Sequence, residues 1–367
     1  MHLFFKENDY NETFKSRLVW NCFCKEMFDI LKAKPPSGDK KEKDYPKLYN
    51  FTECLRWLYR FLIVLVAEVP RTDLTHSTAA AFCSIPCVIS KLAYNTPFIL
   101  TEHGVYLREQ YIFISKARIT YHSKKFLLAL ISLISRMSYH YADQISPVCN
   151  YNATWEIANG AKREKIKTIY NGVDPSTLNP KETAHKPHSV IVSATRVDPL
   201  KDIETLIRAS LLVRQKVSSV KFVIYGSLRT PWYYEHCRKL AHSLGVGDIF
   251  EFAGHSDDLD RIYGEGDIVA LSSISEAFPY TVIEAMMYGK AVIATDVGGV
   301  REALEGCGVL VKPRDPEGFS RAILQLLKDD KLRNALGTEA REKALNNFTI
   351  DRVIKEYKES YLALITR

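Results

Sequence analysis

The chain has 367 residues, of which 46% are hydrophobic and 25% charged, and its formal net charge is +7. This composition is typical of globular proteins and excludes a wholly disordered chain, and the length favours two domains. The mild basic excess serves solubility or attracts anions. Because no arginine-rich arm or zinc-finger spacing accompanies it, a nucleic-acid-binding protein is not expected.

The first half of the sequence mixes strand and helix patterns. Residues 1–50 are weakly patterned, and Pro35–Lys47 is predicted as a polar loop. A helix is predicted over Thr78–Tyr94, with a kink at Pro86. Apolar spacing further predicts helices at Phe51–Ala67 and Ser123–Tyr141, and strands at Asp73–His76, Pro97–Thr101, Gln144–Val148 and Ile166–Tyr170.

A segment rich in proline and glycine, Asn171–His188, is predicted as a linker. A second series of alternating elements follows it, and an amphipathic helix is predicted at Asp351–Thr366. This alternation favours doubly wound parallel sheets, in which ligands bind outside the carboxyl ends of the strands. The predicted strands of this series are Ser189–Ala194, Lys221–Tyr225, Ile249–Phe252, Ile268–Leu271, Ala291–Ala294 and Gly308–Val311, and its helices are Ile203–Val213, Tyr233–Leu244, Leu259–Tyr263, Thr281–Tyr288 and Pro316–Lys328.

The eight cysteines form no C-x-x-C pair, and most stand among apolar neighbours. They are therefore expected to be free thiols in a reducing compartment. No secretory signal is visible, and the most apolar run, Leu62–Ala67, is far shorter than a membrane span. We expect a cytoplasmic protein, with a peripheral position at the inner membrane face or in a synthase complex as an open alternative.

The segment Ser272–Gly289 carries two acids around a predicted helix start. Pro279 suits the first position of that helix, so the amides that follow would point out of its N-terminus and form an anion site. Glu276 lies just before the helix and Glu284 one turn inside it. Carboxylates suit the vicinal hydroxyls of a sugar or ribose. On physical grounds alone, a helix cap and a solvated glutamate explain the two acids equally well.

A second candidate is the loop Arg196-Val-Asp-Pro-Leu-Lys201-Asp202, which follows the strand that ends at Ala194. Two cations at the carboxyl end of a strand can hold a diphosphate. A basic surface loop is the simpler alternative, but this loop and the Glu276 loop both follow strands of one domain. His103 also follows a predicted strand, although a locally bonded turn histidine explains it as well.

Other common motifs are absent from the sequence. It contains no dinucleotide fingerprint, no P-loop, no H-E-x-x-H, no G-x-S-x-G and no Cys/His metal spacing. Its D-x-D, Asp258-Leu-Asp260, is interpreted as a pair of acids at the end of a helix. These residues therefore indicate no metal site.

The ordered blocks S-x-S-Glu276-x7-Glu284-A-M and Thr295-Asp-Val-Gly298-Gly299-x-x-Glu302 resemble the retaining glycosyltransferases of family 4, which have the GT-B fold. The resemblance runs over about Ile166–Leu327. Within that family the chain looks most like the PelF type of exopolysaccharide glycosyltransferase, through the block that begins Thr101-Glu-His-Gly. The resemblance implies two Rossmann-like domains and a donor site built largely from Ser272–Glu302.

The resemblance also implies roles for individual residues. Arg196 and Lys201 would hold the donor diphosphate, Glu284 the ribose and Glu276 the donor sugar, while His103 of the N-terminal domain would reach that sugar near the acceptor. The remaining donor-binding residues would be Phe278, Pro279, Tyr280 and Thr281, mainly through backbone amides, and Gly254 and His255 near the base. The donor would be UDP-glucose or a relative, and the acceptor an unidentified saccharide or other hydroxyl compound. Enzymes of this type need no metal ion, so the resemblance implies no metal and no cofactor apart from the nucleotide-sugar donor.

The implied domains are residues 1–172 on the acceptor side, 173–345 around the nucleotide sugar, and a C-terminal helix at 346–367 that packs back on the first domain. Members of the family usually begin with a strand and a glycine-rich loop, but no glycine precedes Gly38 here. The N-terminal domain is thus expected to be shortened or the coding sequence incomplete. Two other functions are kept as alternatives to a glycosyltransferase. One is a catalytically weak sugar-nucleotide-binding subunit of a polysaccharide synthase, and the other, less favoured, is a UDP-sugar 2-epimerase.

Overall fold

The computed structural model describes residues 1–32, 46–178 and 189–366. Residues 35–45 of the predicted loop and 179–188 of the predicted linker lie outside this description. The chain divides into two compact units. Unit 1 comprises Met1–Pro147, Ala153–Lys167 and Tyr361–Arg367, and unit 2 comprises Val148–Asn152 and Thr168–Ser360. The predicted domain boundaries at 172/173 and 345/346 stay predictions.

The first half of the chain contains a short parallel sheet with helices before, between and after its strands. The last helix of this half begins in unit 2 and continues in unit 1. In chain order the elements are α1 (His2–Glu7), α2 (Tyr10–Lys15), α3 (Arg17–Lys32), α4 (Leu48–Phe61), β1 (Thr75–Ser77), α5 (Ile85–Tyr94), β2 (Phe98–Glu102), α6 (Tyr106–Lys116), α7 (Tyr121–Tyr141), β3 (Gln144–Pro147) and α8 (Asn150–Ala158).

The sheet of unit 1 has the order β1-β2-β3, with both pairs parallel. Every residue of the central strand β2 is buried, as expected for a parallel strand that is covered on both faces. Phe98 and Leu100 of β2 pack with Val88 of α5, Tyr139 of α7 and Ile145 of β3. The carboxyl end of β2 is therefore held from both sides, directly before His103.

Four predictions for the first half of the chain need correction. The helix predicted over Thr78–Tyr94 is a 3₁₀ turn at Phe82–Ser84 followed by α5. Pro86 does not kink this helix because it lies in the first turn, where its missing N–H has no intrahelical role. The helix predicted over Phe51–Ala67 ends at Phe61 and continues as a 3₁₀ helix, Leu62–Val66. The strand predicted at Ile166–Tyr170 is a single bridge between Ile166 and Ile145.

Unit 2 is a larger α/β unit, and the last helix extends from it into unit 1. Its elements are β4 (Ser189–Ala194), α9 (Ile203–Arg214), β5 (Val220–Tyr225), α10 (Pro231–Ser243), β6 (Phe250–Gly254), α11 (Leu259–Glu265), β7 (Ile268–Leu271), α12 (Tyr280–Met287), β8 (Ala291–Thr295), α13 (Val300–Leu304), β9 (Val309–Val311), α14 (Pro316–Lys328), α15 (Asp330–Asn347) and α16 (Ile350–Ile365).

The strands of unit 2 form one parallel sheet in the order β6-β5-β4-β7-β8-β9. The chain starts in the middle of this sheet at β4, moves outward to β6, returns to the middle at β7 and moves outward on the other side. This is the strand order of the Rossmann fold, and its order reverses between β4 and β7. Loops that leave these two strands diverge, so the crevice between them is the expected ligand position.

Two apolar layers cover the sheet of unit 2. On one side Ile203, Leu206 and Phe319 of the helices pack against strand residues such as Phe222 and Ile293. On the other side the helix residues Val282, Met286 and Ala340 pack against Val192 and Val269. With both faces covered, β7 and β8 are wholly buried, which accounts for their continuous apolar sequence.

Helix α15 was not predicted from the sequence. Its apolar residues are few, and it presents small residues such as Gly337 and Ala340 to the sheet side. The carbonyl oxygen of Gly289 would lie 2.1 Å from a Cβ at Gly337, so a larger residue there would be excluded. Among the residues that the structure describes, no helix is both long and apolar enough to cross a membrane.

Candidate functional site

The loops that follow β4 and β7 are tied together at the point where the strand order reverses. The amide of Ile274 donates a hydrogen bond to the carbonyl oxygen of Leu200 at 2.8 Å. The hydroxyl of Ser272 donates to the carbonyl oxygen of Lys201, also at 2.8 Å. These bonds fix the backbone on both sides of the crevice, so side chains on the two loops have a defined separation.

Lys201 and Glu276, which stand on these two loops, form an ion pair. The Nζ of Lys201 lies 2.5 Å from Oε1 of Glu276. Their side chains are only 15% and 10% exposed, so both charges are largely removed from water and need a partner. The site thus presents a cation and a carboxylate side by side, which suits a ligand that carries both anionic oxygens and hydroxyl groups.

Arg196 lies on the same loop as Lys201 but faces solvent. Its Nε is 3.5 Å from the carboxylate of Asp198, and its side chain is 60% exposed. Asp198 also accepts a hydrogen bond from the amide of Leu200 at 2.9 Å, which begins the short 3₁₀ turn Pro199–Lys201. Arg196 is therefore an accessible cation at the edge of the crevice.

The loop after β4 also depends on Gly226, a residue that the sequence interpretation missed. A Cβ at Gly226 would lie 1.9 Å from the carbonyl oxygen of Thr195, so only glycine allows this approach of the two backbones. The amide of Val197 donates to the carbonyl oxygen of Ser227 at 3.1 Å beside it. The sequence did contain a signal for this residue, because Gly226 directly follows the predicted strand that ends at Tyr225.

Helix α12 directs its N-terminus toward the end of β4. The hydroxyl of Thr281 donates to the carbonyl oxygen of Ala194 at 2.6 Å. Pro279 is the N-cap of this helix rather than its first residue, which corrects the prediction. A proline side chain cannot cap, and the first-turn amides of Tyr280 and Thr281 have no intrahelical acceptor. Free amides of this kind are what an anion site at a helix N-terminus requires, and the predicted anion site stays a prediction.

Phe278 precedes α12 and is buried, so its side chain contributes packing. The amide nitrogen of the Asn171 side chain donates to its carbonyl oxygen at 2.9 Å. The ring of Phe278 lies 5.0 Å from that of Tyr170 and 5.1 Å from that of Phe348. These contacts hold the peptide just before Pro279 in place, and thereby the start of the helix.

Glu284, one turn into α12, is partly buried. The hydroxyl of Tyr263 donates to its Oε2 at 2.6 Å. Burial raises the pKa of the Glu284 carboxyl, and the hydrogen bond from Tyr263 lowers it again in part. Tyr263 is wholly buried, so it orients Glu284 from behind. The sequence offered no signal for this contact, because the two residues are 21 positions apart on different helices.

The Gly298-Gly299 pair closes against the backbone of the Glu276 loop. Gly298 has a positive φ of 58°, and a Cβ there would lie 1.9 Å from the carbonyl oxygen of Glu276. The amide of Gly299 donates to the carbonyl oxygen of Ala277 at 2.6 Å. The glycines seen in the sequence motif therefore support the Glu276 loop from behind.

Glu302, the last residue of the same motif, forms contacts elsewhere in unit 2. It accepts hydrogen bonds from the amides of Asn150 and Tyr151 at 2.8 and 2.7 Å, and so caps the N-terminus of α8. Glu302 also accepts a hydrogen bond from the hydroxyl of Tyr170 at 3.1 Å. Glu302 therefore stabilises the start of α8, and it does not serve the candidate site as Glu276 and Glu284 do.

Gly254 and His255 lie farther along the same edge of the sheet. Gly254 ends β6, two strands away from β4, and its carbonyl oxygen accepts from the amide of Gly226 at 2.8 Å. His255 is largely exposed and lies 3.1 Å from Asp257. His103 belongs to unit 1, where it is exposed just beyond β2.

The two acids of the D-x-D both have structural partners. Asp258 accepts a hydrogen bond from the amide of Arg261 at 2.9 Å and caps α11. Asp260 accepts a hydrogen bond from the hydroxyl of Tyr288. Within residues 1–32, 46–178 and 189–366, no group of three or more His, Cys, Asp or Glu side chains is arranged to hold a metal ion.

Two family models match the chain, and they cover different halves of it. Residues 176–343 match the family model described as "Glycosyl transferases group 1". Residues 2–164 match a different model, described as "Domain of unknown function (DUF3492)". The matched glycosyltransferase segment contains the whole Lys201–Glu276 crevice, Glu284 and the Gly298-Gly299 pair.

Two curated relatives illustrate the match in sequence. The D-inositol 3-phosphate glycosyltransferase of Salinispora arenicola is 36% identical over 185 residues, which cover 47% of this chain and 40% of the relative. The N-acetyl-alpha-D-glucosaminyl L-malate synthase of Bacillus anthracis is 25% identical over 222 residues, with 57% and 56% covered. The chain spans about half the length of the curated relatives it matches.

Solved structures show the fold. The sucrose-phosphate synthase from Thermosynechococcus elongatus is similar with a TM-score of 0.70 at 19% identity, covering 91% of this chain and 82% of the other. HepE of Anabaena, solved in complex with UDP-glucose, gives a TM-score of 0.66 at 19% identity and 79% of each chain. The predicted α/β fold of the GT-B class, with parallel sheets in two domains, is confirmed.

A matched pair of glycines tests the support of the Glu276 loop. Gly298 and Gly306 both have positive φ, but a Cβ at Gly306 meets nothing within 4 Å. Gly306→Ala should therefore cost only the backbone strain, about 1–2 kcal/mol. Gly298→Ala should cost this strain and the displacement of the Glu276 backbone as well. Urea unfolding measures both, and equal losses of stability would contradict the close packing inferred for Gly298.

Proposed function

We propose that this chain is a retaining glycosyltransferase that moves a sugar from a nucleotide diphosphate sugar, UDP-glucose or a relative, to a hydroxyl acceptor. The observation that carries this proposal is the crevice between β4 and β7. There Lys201, Glu276 and the N-terminus of α12 converge at the reversal of the strand order. A diphosphate next to a sugar is the ligand whose charges and hydroxyls fit this combination.

The diphosphate would be held by cations and amides. Arg196 offers a planar guanidinium for phosphate oxygens, and Lys201 a point charge. The amides of Tyr280 and Thr281 add hydrogen-bond donors and the positive end of the helix dipole. These groups neutralise the diphosphate without a metal ion, and we propose a metal-independent reaction on that basis.

The two acids would hold the two sugars of the donor. Glu284, which accepts a hydrogen bond from Tyr263, would accept hydrogen bonds from the ribose hydroxyls. Glu276, on the loop before the helix, would accept hydrogen bonds from the hydroxyls of the transferred sugar. The donor's base would lie toward Gly254 and His255, on the β6 side of the sheet.

In the transfer step, the bond between the anomeric carbon of the sugar and the diphosphate breaks. The acceptor oxygen forms its bond to that carbon on the same face, and its proton passes to an oxygen of the departing diphosphate. Charge grows on the leaving diphosphate, so pre-placed cations and amides lower the barrier. No protein nucleophile is needed. The role of His103 in this step stays a prediction from the family resemblance.

The known relatives support the proposal at the level of the reaction class. HepE was solved with UDP and with UDP-glucose, and the Salinispora relative is named as a glycosyltransferase of inositol phosphate. A PelF-type place within family 4 is part of the same proposal, and it rests on the sequence blocks around Glu102-His103-Gly104 and Glu276.

Arg196→Ala tests the diphosphate site. Loss of a charge-assisted hydrogen bond, worth about 1.5–3 kcal/mol, should weaken UDP binding by about 10- to 100-fold. Glu284→Ala should also weaken it, because the ribose loses its acceptor. Isothermal titration with UDP measures both effects.

The matched control for Arg196→Ala is Arg208→Ala. Arg208 is another exposed arginine of unit 2, but it stands on α9 away from the crevice. Its loss should leave UDP affinity unchanged. Equal affinity of the wild type, Arg196→Ala and Glu284→Ala variants would refute the donor site. Tight UDP binding without transfer to any acceptor would favour a sugar-nucleotide-binding subunit instead.

Glu276→Gln separates the sugar from the diphosphate. This change removes a carboxylate near the diphosphate and leaves the charge of Lys201 uncompensated, so affinity for UDP alone should rise, by up to about tenfold. The additional affinity gained from the glucose moiety should fall, because a neutral amide is a weaker acceptor for hydroxyls.

The measurement is the ratio of the dissociation constants of UDP and UDP-glucose, for wild type and Glu276→Gln side by side. If Glu276→Gln weakens UDP as strongly as Arg196→Ala does, Glu276 acts by holding Lys201 in place rather than by binding sugar. That result would remove Glu276 from the proposed sugar contacts.

A further inference from the structure

Unit 1 contains two fully buried carboxyl groups at the carboxyl end of its sheet. Glu102 is the last residue of β2, and Glu156 lies on α8; neither side chain is exposed to solvent. Buried acids normally have a cationic partner. In the described part of the chain neither of these two forms an ion pair, so another arrangement must compensate their burial.

The carboxyl group of Glu102 is surrounded by hydrogen-bond donors. The hydroxyl of Tyr139 donates to Oε2 at 2.6 Å, and the amides of Tyr106 and Ala80 donate to Oε1 at 3.0 and 3.4 Å. These donors come from α7, from the first residue of α6 and from the segment after β1. Several donors directed at one carboxyl group favour its ionised form.

Glu156 has the opposite environment. Among the described residues, no donor reaches either of its carboxyl oxygens. Its burial and then the neighbouring charge of Glu102 raise its pKa. Two neighbouring carboxyl groups that are both buried disfavour each other's ionised form, so that one of them keeps its proton. Because the donors surround Glu102 and none reaches Glu156, the proton belongs on Glu156, which then donates to Glu102.

We propose that Glu102 and Glu156 share one buried proton, carried by Glu156, and that this pair positions the turn that carries His103. The importance of that turn for transfer rests on the proposed function. The proton sharing itself does not.

The geometry of the turn explains how the pair acts. The turn is His103-Gly104-Val105. Glu102 stands directly before it and Tyr106 directly after it, and the amide of Tyr106 donates a hydrogen bond to the Glu102 carboxylate. The carboxylate therefore bridges the two ends of the turn. Ala80 links the Glu102 carboxylate to α7. Its amide donates to that carboxylate, and its carbonyl oxygen accepts a hydrogen bond from the hydroxyl of Ser135 on α7 at 2.8 Å.

The charges around the pair are consistent with this assignment. Burial raises the pKa of Glu102, Glu109 on α6 raises it further, and the hydrogen bonds from Tyr139, Tyr106 and Ala80 lower it in part. Burial, and then the charge of Glu102, raise the pKa of Glu156. A carboxyl whose pKa is raised on folding stabilises the fold below its ordinary pKa. That stability is lost as the pH rises through the raised pKa.

Two single substitutions distinguish the partners. Glu156→Gln can still donate an N–H to Glu102, so it should retain the turn and remove part of the loss of stability at alkaline pH. Glu102→Gln replaces an oxygen acceptor by an NH₂ group that faces donors. It should lower kcat of sugar transfer by about 10- to 100-fold and leave the dissociation constant of UDP unchanged.

The readouts are urea unfolding from pH 6 to pH 9, kcat with the donor dissociation constant, and the infrared carbonyl band of a buried protonated carboxyl at neutral pH. This band should be present in the wild type and absent in Glu156→Gln. A persistent band, or greater damage from Glu156→Gln than from Glu102→Gln, would overturn the proposal.

A second variant keeps the test informative if Glu102→Gln does not fold. Tyr139→Phe removes one donor from Glu102 and leaves both acids, and it should lower kcat without changing UDP affinity. Unchanged kcat in Tyr139→Phe would remove the positioning role. If no transfer is detected in any protein, the infrared and unfolding results still decide whether the proton is shared, so this failure differs from failure of the proposed function.

Discussion

The reversal of strand order between β4 and β7 is the constraint on which the candidate site depends. It makes the two loops leave the middle of the sheet in different directions and leaves a crevice between them. The Ile274–Leu200 and Ser272–Lys201 hydrogen bonds then join the loops at the base of the crevice. Lys201 and Glu276 are consequently neighbours in space although they are 75 residues apart in sequence.

The ion pair of Lys201 and Glu276 has a consequence for ligand binding. Both side chains are largely desolvated, and each compensates the charge of the other in the absence of a ligand. A donor that offers an anion to Lys201 and hydroxyls to Glu276 can satisfy both groups at once. A ligand with only one of these features satisfies one member of the pair. The proposed donor site would therefore favour molecules that combine phosphate with sugar.

The sequence predicted the parallel α/β architecture and the loops that carry the site. Strands such as β7 and β8 are continuously apolar because both faces are covered, and Gly298 and Glu276 stand in a recognisable motif. Contacts between distant segments could not be predicted in this way. The hydrogen bond from Tyr263 to Glu284 and the burial of Glu156 depend on how helices pack. The small residues of α15 gave no amphipathic pattern, since close approach to Gly289, rather than apolar area, places that helix.

We propose that the crevice between β4 and β7 binds the diphosphate of a nucleotide sugar. A crystal structure of the full chain soaked with UDP tests it most directly. We expect the diphosphate at the N-terminus of α12, within hydrogen-bonding distance of Arg196 or Lys201, with the ribose hydroxyls on Glu284. UDP bound elsewhere, or bound in this crevice with its ribose away from Glu284 and its phosphates away from both cations, would contradict it.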